Sequence, residues 1–223
     1  MRLNTLNLIL ICILLGSCDN YYFNNPQPVN TKNTYTVPGK YRGIWQADKD
    51  GSTTITIGKD FYYITEKGQE MESKAEIDAD SDLYFLKNKI YYTEDGHLKG
   101  GYNYETKGDS VLIEILETNR VDFGQNAFLR KFEYGYILNE RHPDMDDWWR
   151  IYFVDTRVKN EIAIRDINKK DLEKRDNYSI LHEDFSDYLI ADWTKDDIQK
   201  FIDEGGFTDT IYHLKHRRKL KNQ

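Results

Sequence analysis

The stretch WWRIYFVD, residues 148–155, alternates with a period of two. Trp149, Ile151 and Phe153 fall on one side of an extended chain, and Arg150, Tyr152 and Val154 on the other. Successive side chains of a strand point to opposite faces, so this pattern predicts a strand with one face in a core. The same signature recurs on both sides of it. Upstream lie TTITIG (53–58), FYYIT (61–65), LYFLK (83–87), KIYYT (89–93), SVLIEILE (110–117), FLRKF (128–132) and GYILNE (135–140). Downstream lies EIAIRDI (161–167). Turn signals separate them: Asp50-Gly51, Asp95-Gly96 and Lys107-Gly108-Asp109. Residues 41–58 read as a hairpin. The 17 tyrosines and 10 phenylalanines fit, since aromatics suit a pleated, half-buried surface. Many short strands with close turns indicate a mainly β fold, an antiparallel barrel or sandwich.

The last third changes character. TKDDIQKFIDEGG (194–206) predicts a helix, with Thr194 at the N-cap, Asp196 and Asp197 complementing the helix dipole, and Gly205 at the end. Ile198, Phe201 and Ile202 share one narrow apolar face, which needs the β part to pack against. KKDLEKRD (169–176) reads as a turn or two of helix. FTDTIYHL (207–214) fits a last strand or a second helix. The expected organisation is a single β-rich domain over 39–214 with one or two short C-terminal helices, followed by a basic tail at 215–223. Residues 19–38 hold three of the four prolines and no periodic apolar pattern, and read as a flexible tether reaching about 25 Å.

The chain begins with a different kind of segment. Arg2 is followed by an unbroken apolar run from Leu8 to Leu15, then Gly16, Ser17 and Cys18. A positive start, a short apolar run and small residues at a cut make a secretory signal peptide over 1–17. The run falls short of the roughly 20 apolar residues that span a membrane. Leu15-Gly16-Ser17-Cys18 resembles the lipobox of bacterial lipoproteins. That resemblance implies cleavage before Cys18 and a diacylglycerol on its sulfur. Cys12 then leaves with the signal, and the mature chain has no free thiol for disulfide, catalysis or metal. Two or three acyl chains anchor stably where one does not. Tyr21, Tyr22 and Phe23, just after the anchor, are expected at headgroup level. The place implied is the cell envelope, at the outer membrane.

Two further resemblances concern the folded part. Gly43-Ile44-Trp45 looks like the Gly-x-Trp that opens the lipocalin barrel, where the Trp plugs one end. Over residues 18–170 the chain is similar to small β-rich lipoproteins of the Bacteroidota, on its lipobox, its Gly-x-Trp strand, Leu129-Arg130-Lys131, and Tyr136-Ile137-Leu138-Asn139.

Chemistry is sparsely signalled. A net charge of −7 argues against a nucleic-acid partner. Gly108-Asp109-Ser110 echoes an esterase motif but precedes a strand, and reads as a β-turn. Asp78, Asp80 and Asp82 alternate as a Ca²⁺ loop begins, without the glycine and closing Glu such a loop needs. HPDMDDWW (142–149) is the candidate binding segment. His142, Asp144 and Asp146 offer polar ligands, and Trp148 offers a face on which a sugar can stack. No nucleophile elbow, phosphate loop or cofactor motif appears. The function expected is a membrane-anchored binding or structural role with a protein or glycan partner. An envelope hydrolase acting on glycans or esters is the alternative.

Overall fold

The computed structural model describes residues 20–47, 51–80, 83–87, 89–94, 97–145, 147–173, 178–183 and 186–219. The signal segment, Cys18 and Asp146 therefore lie outside the described residues. The chain is mainly β, with short helices, and nearly all its strand pairs are antiparallel. It divides into two compact units: one of residues up to Val37 with Asp122–Leu214, the other of Pro38–Val121 with the residues from Lys215 on.

In the first unit the ladder runs β14-β15-β1-β12-β13-β16. These strands are Ser179–Glu183, Ser186–Ile190, Asn20–Phe23, Trp149–Asp155, Glu161–Asp166 and Asp209–Arg218, the last shared with the second unit from Lys215 on. β11 (Gly135–Arg141) also pairs with β12, β10 (Ala127–Lys131) pairs with β11, and β2 (Asn33–Thr34) pairs with β10. The alternation read in 148–155 is realised: Trp149, Ile151, Phe153 and Asp155 are buried, and Arg150, Tyr152 and Val154 are only partly so. Tyr21, Phe23, Ile137, Ile151, Phe153 and Leu189 form the core with Trp193, Ile198, Phe201 and Phe207. The helix α3 (Lys195–Asp203) lays Ile198 and Phe201 onto it, as its apolar stripe predicts. Thr194 accepts a hydrogen bond from Asp197 N–H while the Asp197 carboxylate accepts one from Thr194 N–H, a full capping box. The shorter helix α2 (Lys169–Leu172) is capped the same way by Asn168.

The second unit is the ladder β16-β3-β4-β5-β9-β8-β7-β6. Beyond β16 its strands are Gly43–Ala47, Thr53–Ile57, Phe61–Ser73, Ser110–Asp122, His97–Lys107, Lys89–Glu94 and Leu83–Leu86. β3 and β4 form the expected hairpin, with Gly43 opposite Ile57. Lys107 pairs with Ser110 across Gly108-Asp109, so that motif is a hairpin turn. Trp45 of the Gly-x-Trp is 2% exposed, donates its indole N–H to the Tyr41 carbonyl at 2.9 Å, and meets the His216 ring. A Cβ on Gly43 would lie 2.6 Å from the Arg218 carbonyl, which explains the glycine. A helix not expected from the sequence, α1 (Lys74–Ala79), buries Ile77 against Ile90 and Val111.

Two expectations at the ends are corrected. Residues 20–38 are not a tether. Asn20–Phe23 forms β1, paired parallel to β15 and antiparallel to β12. Tyr21 and Phe23 are core residues rather than headgroup anchors. The polar residues that suggest a coil are tied inward. Gln27 is fully buried, donating its side-chain N–H to the Ala191 carbonyl and accepting from Trp193 N–H, while Asn139 bonds both its backbone groups. Buried polar groups persist where every partner is supplied, as here. The basic tail is likewise corrected, because Lys215–Arg218 continues β16; residues 220–223 lie outside the described residues.

Candidate functional site

The side of the first sheet turned away from the core carries two adjoining groups. Tyr22 of β1 stands opposite Arg150 of β12 and Tyr188 of β15, so the three share a face. The 142–148 loop folds over the end of that face. His142 N–H donates to the Trp148 carbonyl, which closes the loop. The His142 ring meets Tyr22 edge-on at 4.5 Å between centroids, and Trp148 meets Tyr188 edge-on at 4.6 Å. Tyr22 stacks on Tyr188 at 5.8 Å. The Tyr188 hydroxyl donates to the Met145 sulfur at 3.2 Å. His142 Nδ1 accepts from Asp144 N–H at 3.1 Å, which puts the hydrogen of the neutral ring on Nε2. Rings this close leave no gap between them for a ligand. What they offer is outer surface, with Trp148 and His142 half-buried and Asp144 and Asp147 exposed beside them.

Toward the middle of the same face lies an ionisable group. Arg150 donates from Nε and Nη2 to one oxygen of Asp166, at 3.1 and 2.5 Å. The other Asp166 oxygen accepts from Ile167 N–H at 2.8 Å. Glu140 stands opposite Arg150 across the β11–β12 ladder. Burial pushes the Glu140 carboxyl up to about 7, with Arg150 pulling it down and Asp166 adding to the rise. Burial also raises Asp166 despite Arg150, and holds the Tyr152 phenol well above its usual range.

Elsewhere in this unit, Asp155, Val158, Glu161, Arg165 and His213 line an open cleft of about 220 Å³. Arg157 grips Asp155 through both carboxylate oxygens, and Arg165 approaches at 3.4 Å. Burial works against Asp155, but the Arg157 bonds outweigh it and hold the carboxyl below its usual range. His213 contacts Glu161 at 2.9 Å. The charges of this cleft are spent on one another.

Of the residues picked from the sequence, the structure brings His142 and Trp148 into one ring cluster. It places Asp144 on the rim, held there by its backbone, and Asp146 lies outside the described residues. Sequence reading missed Tyr22 and Tyr188, which complete the cluster from strands distant in the chain. It also missed Glu140, Arg150 and Asp166. Their signal was a charged residue within an aromatic or aliphatic strand in the middle of a sheet, where charge is costly unless paired. Among the described residues no three His, Cys, Asp or Glu side chains come together as a metal would require. No helix among them is long and apolar enough to cross a membrane. No family model, no curated protein and no solved structure matches the chain.

Proposed function

We propose that this protein is an envelope lipoprotein, anchored at the outer membrane through acyl chains on Cys18, and that it acts by binding a glycan on the Trp148 face. The observation that carries the binding half is the convergence of Tyr22, His142, Trp148 and Tyr188 on the outward side of one sheet. Aromatic rings with an open face and polar groups at their margin make a ligand surface. The C–H face of a pyranose stacks on indole, and the Asp144 and Asp147 carboxylates accept from its hydroxyls. The anchoring half is supported by the lipobox at Leu15–Cys18 and the apolar run before it.

The test is calorimetric titration with envelope oligosaccharides, native protein against Trp148→Ala. Binding that falls at least tenfold in the variant supports the reading. Binding unchanged in the variant, or none to any glycan, sinks the binding half. Partition of native protein into a detergent phase, lost on Cys18→Ala, tests the anchor separately.

One observation favours a hydrolase instead. Two carboxylates, Glu140 and Asp166, gather around Arg150, and Glu140 titrates near neutrality, where a general acid or base works. Against it, Asp166 is fully engaged by Arg150 and Ile167 N–H. Hydrolysis of a glycan or ester that vanishes in Glu140→Gln would establish this alternative.

A further inference from the structure

We infer that the outer edge of the first unit, strand β14 with its hairpin to β15, rests on the bilayer surface at headgroup depth. The inference depends on the acylation of Cys18 proposed above. Cys18 precedes Asn20, the first residue of β1, by two positions, which span at most about 7 Å. β1 is fixed in the ladder, paired with β15 from Asn20–Ser186 to Phe23–Leu189 and with β12 on its other side. The acyl chains therefore leave the fold close to the sheet. They leave it where β15 begins and β14 ends, since Glu183 pairs with Ser186 at that same level. A tether of about 20 residues would let the fold ride free of the membrane; this attachment does not.

The edge nearest the anchor has the side chains for such contact. Among the described residues β14 is the last strand of its ladder. Ile180 and Leu181 point to opposite faces, and they are 37% and 44% exposed. Ile190 on the adjoining β15 is 51% exposed. Edge strands that face water are ordinarily blunted by charge. This one ends on His182 and Glu183 but bears the aliphatic Ile180 and Leu181 on its two faces, as a strand at the boundary between headgroups and hydrocarbon would. Its outward backbone groups set the depth. They need water or headgroup partners, so the strand stays out of the hydrocarbon, where open sheet edges do not occur. Edge-on seating leaves the Trp148 face open to a ligand.

The experiment uses the acylated full-length chain, purified from membranes and reconstituted in phosphatidylethanolamine–phosphatidylglycerol vesicles. Cys18 carries lipid, so a cysteine introduced by Leu181→Cys, Ile180→Cys or Ile211→Cys takes a fluorescent nitrobenzoxadiazole label alone. Ile211 is 37% exposed on β16, five ladder steps and about 24 Å from β14. A nitroxide on the lipid headgroup is expected to quench the labels at 180 and 181 at least threefold more than the label at 211. Equal quenching, or water-like emission at 180 and 181, overturns the inference. So does shielding of those labels without vesicles that grows with protein concentration, which would mean that a second copy covers the edge. Mass spectrometry of the N-terminal peptide separates the two levels. Absence of acyl chains overturns both the anchor and this inference; acyl chains present with water-like labels overturn this inference alone.

Discussion

Arg150 reaches from β12 to the Asp166 carboxylate on β13 with two N–H groups on a single oxygen, and Glu140 stands opposite the same arginine from β11. One guanidinium thus faces two carboxyls, Asp166 buried and Glu140 partly so. Asp166 has its bonds to Arg150 and to Ile167 N–H, and Glu140 is the group that yields, its proton held up to about 7.

A pH dependence follows from the sign of that shift. The Glu140 pKa is higher in the fold than in the unfolded chain, so the fold holds a proton that the unfolded chain releases. The stability this contributes is complete below about pH 4.5 and is lost as pH rises through 7, amounting to about 3 kcal/mol at most. Asp166 is shifted the same way. Urea unfolding midpoints are expected to fall between pH 5 and pH 8, and Glu140→Gln is expected to flatten that fall and raise the midpoint at pH 8. A native midpoint that rises over this interval would refute the assignment.

Phe23→Ala distinguishes a strand from a tether. Phe23 is wholly buried beside Trp193. Its truncation is expected to cost about 3–5 kcal/mol. Gln27→Ala, which strands the Ala191 carbonyl and Trp193 N–H, is expected to cost about 2 kcal/mol or more. Both are read from denaturant midpoints. Near-neutral effects at both positions would restore the tether.

Gly135 begins β11 opposite Asp155, where the Val154 carbonyl occupies the space a Cβ would take. Gly135→Ala is expected to destabilise by about 2 kcal/mol or more, because the obstruction is backbone and cannot swing aside. Gly39→Ala meets nothing within 4 Å and serves as the tolerated control, within about 0.5 kcal/mol of native. Thermal melts of the two variants side by side decide the matter.

Thr194→Ala removes the capping hydroxyl of α3 and is expected to cost about 1 kcal/mol. Thr194→Ser keeps the acceptor and is expected to retain most of that stability. Loss of equal size in both variants would assign the effect to the threonine methyl.

The β12 strand was legible because the apolar Trp149, Ile151 and Phe153 alternate with the polar Arg150 and Tyr152. α3 was legible because cap, dipole and apolar stripe agree over a few residues. β1 was not, since Asn20–Phe23 is too short to show a period and is followed by a polar, proline-rich run whose side chains bond partners more than a hundred residues away. The candidate site was half legible for the same reason. His142 and Trp148 are neighbours in sequence, while Tyr22 and Tyr188 join them only through the β1–β15 pairing.

That pairing also sets an order of events. Asn24, just past β1, accepts a hydrogen bond from Ala191 N–H, 167 positions later. β1, the first of the described strands, has no neighbour on that side until β15 has been made. Until then Tyr21 and Phe23 remain exposed, and closure of so long a loop makes assembly slow. Chains truncated before Ser186 are expected to leave the first unit unassembled, with β1 lacking its β15 neighbour.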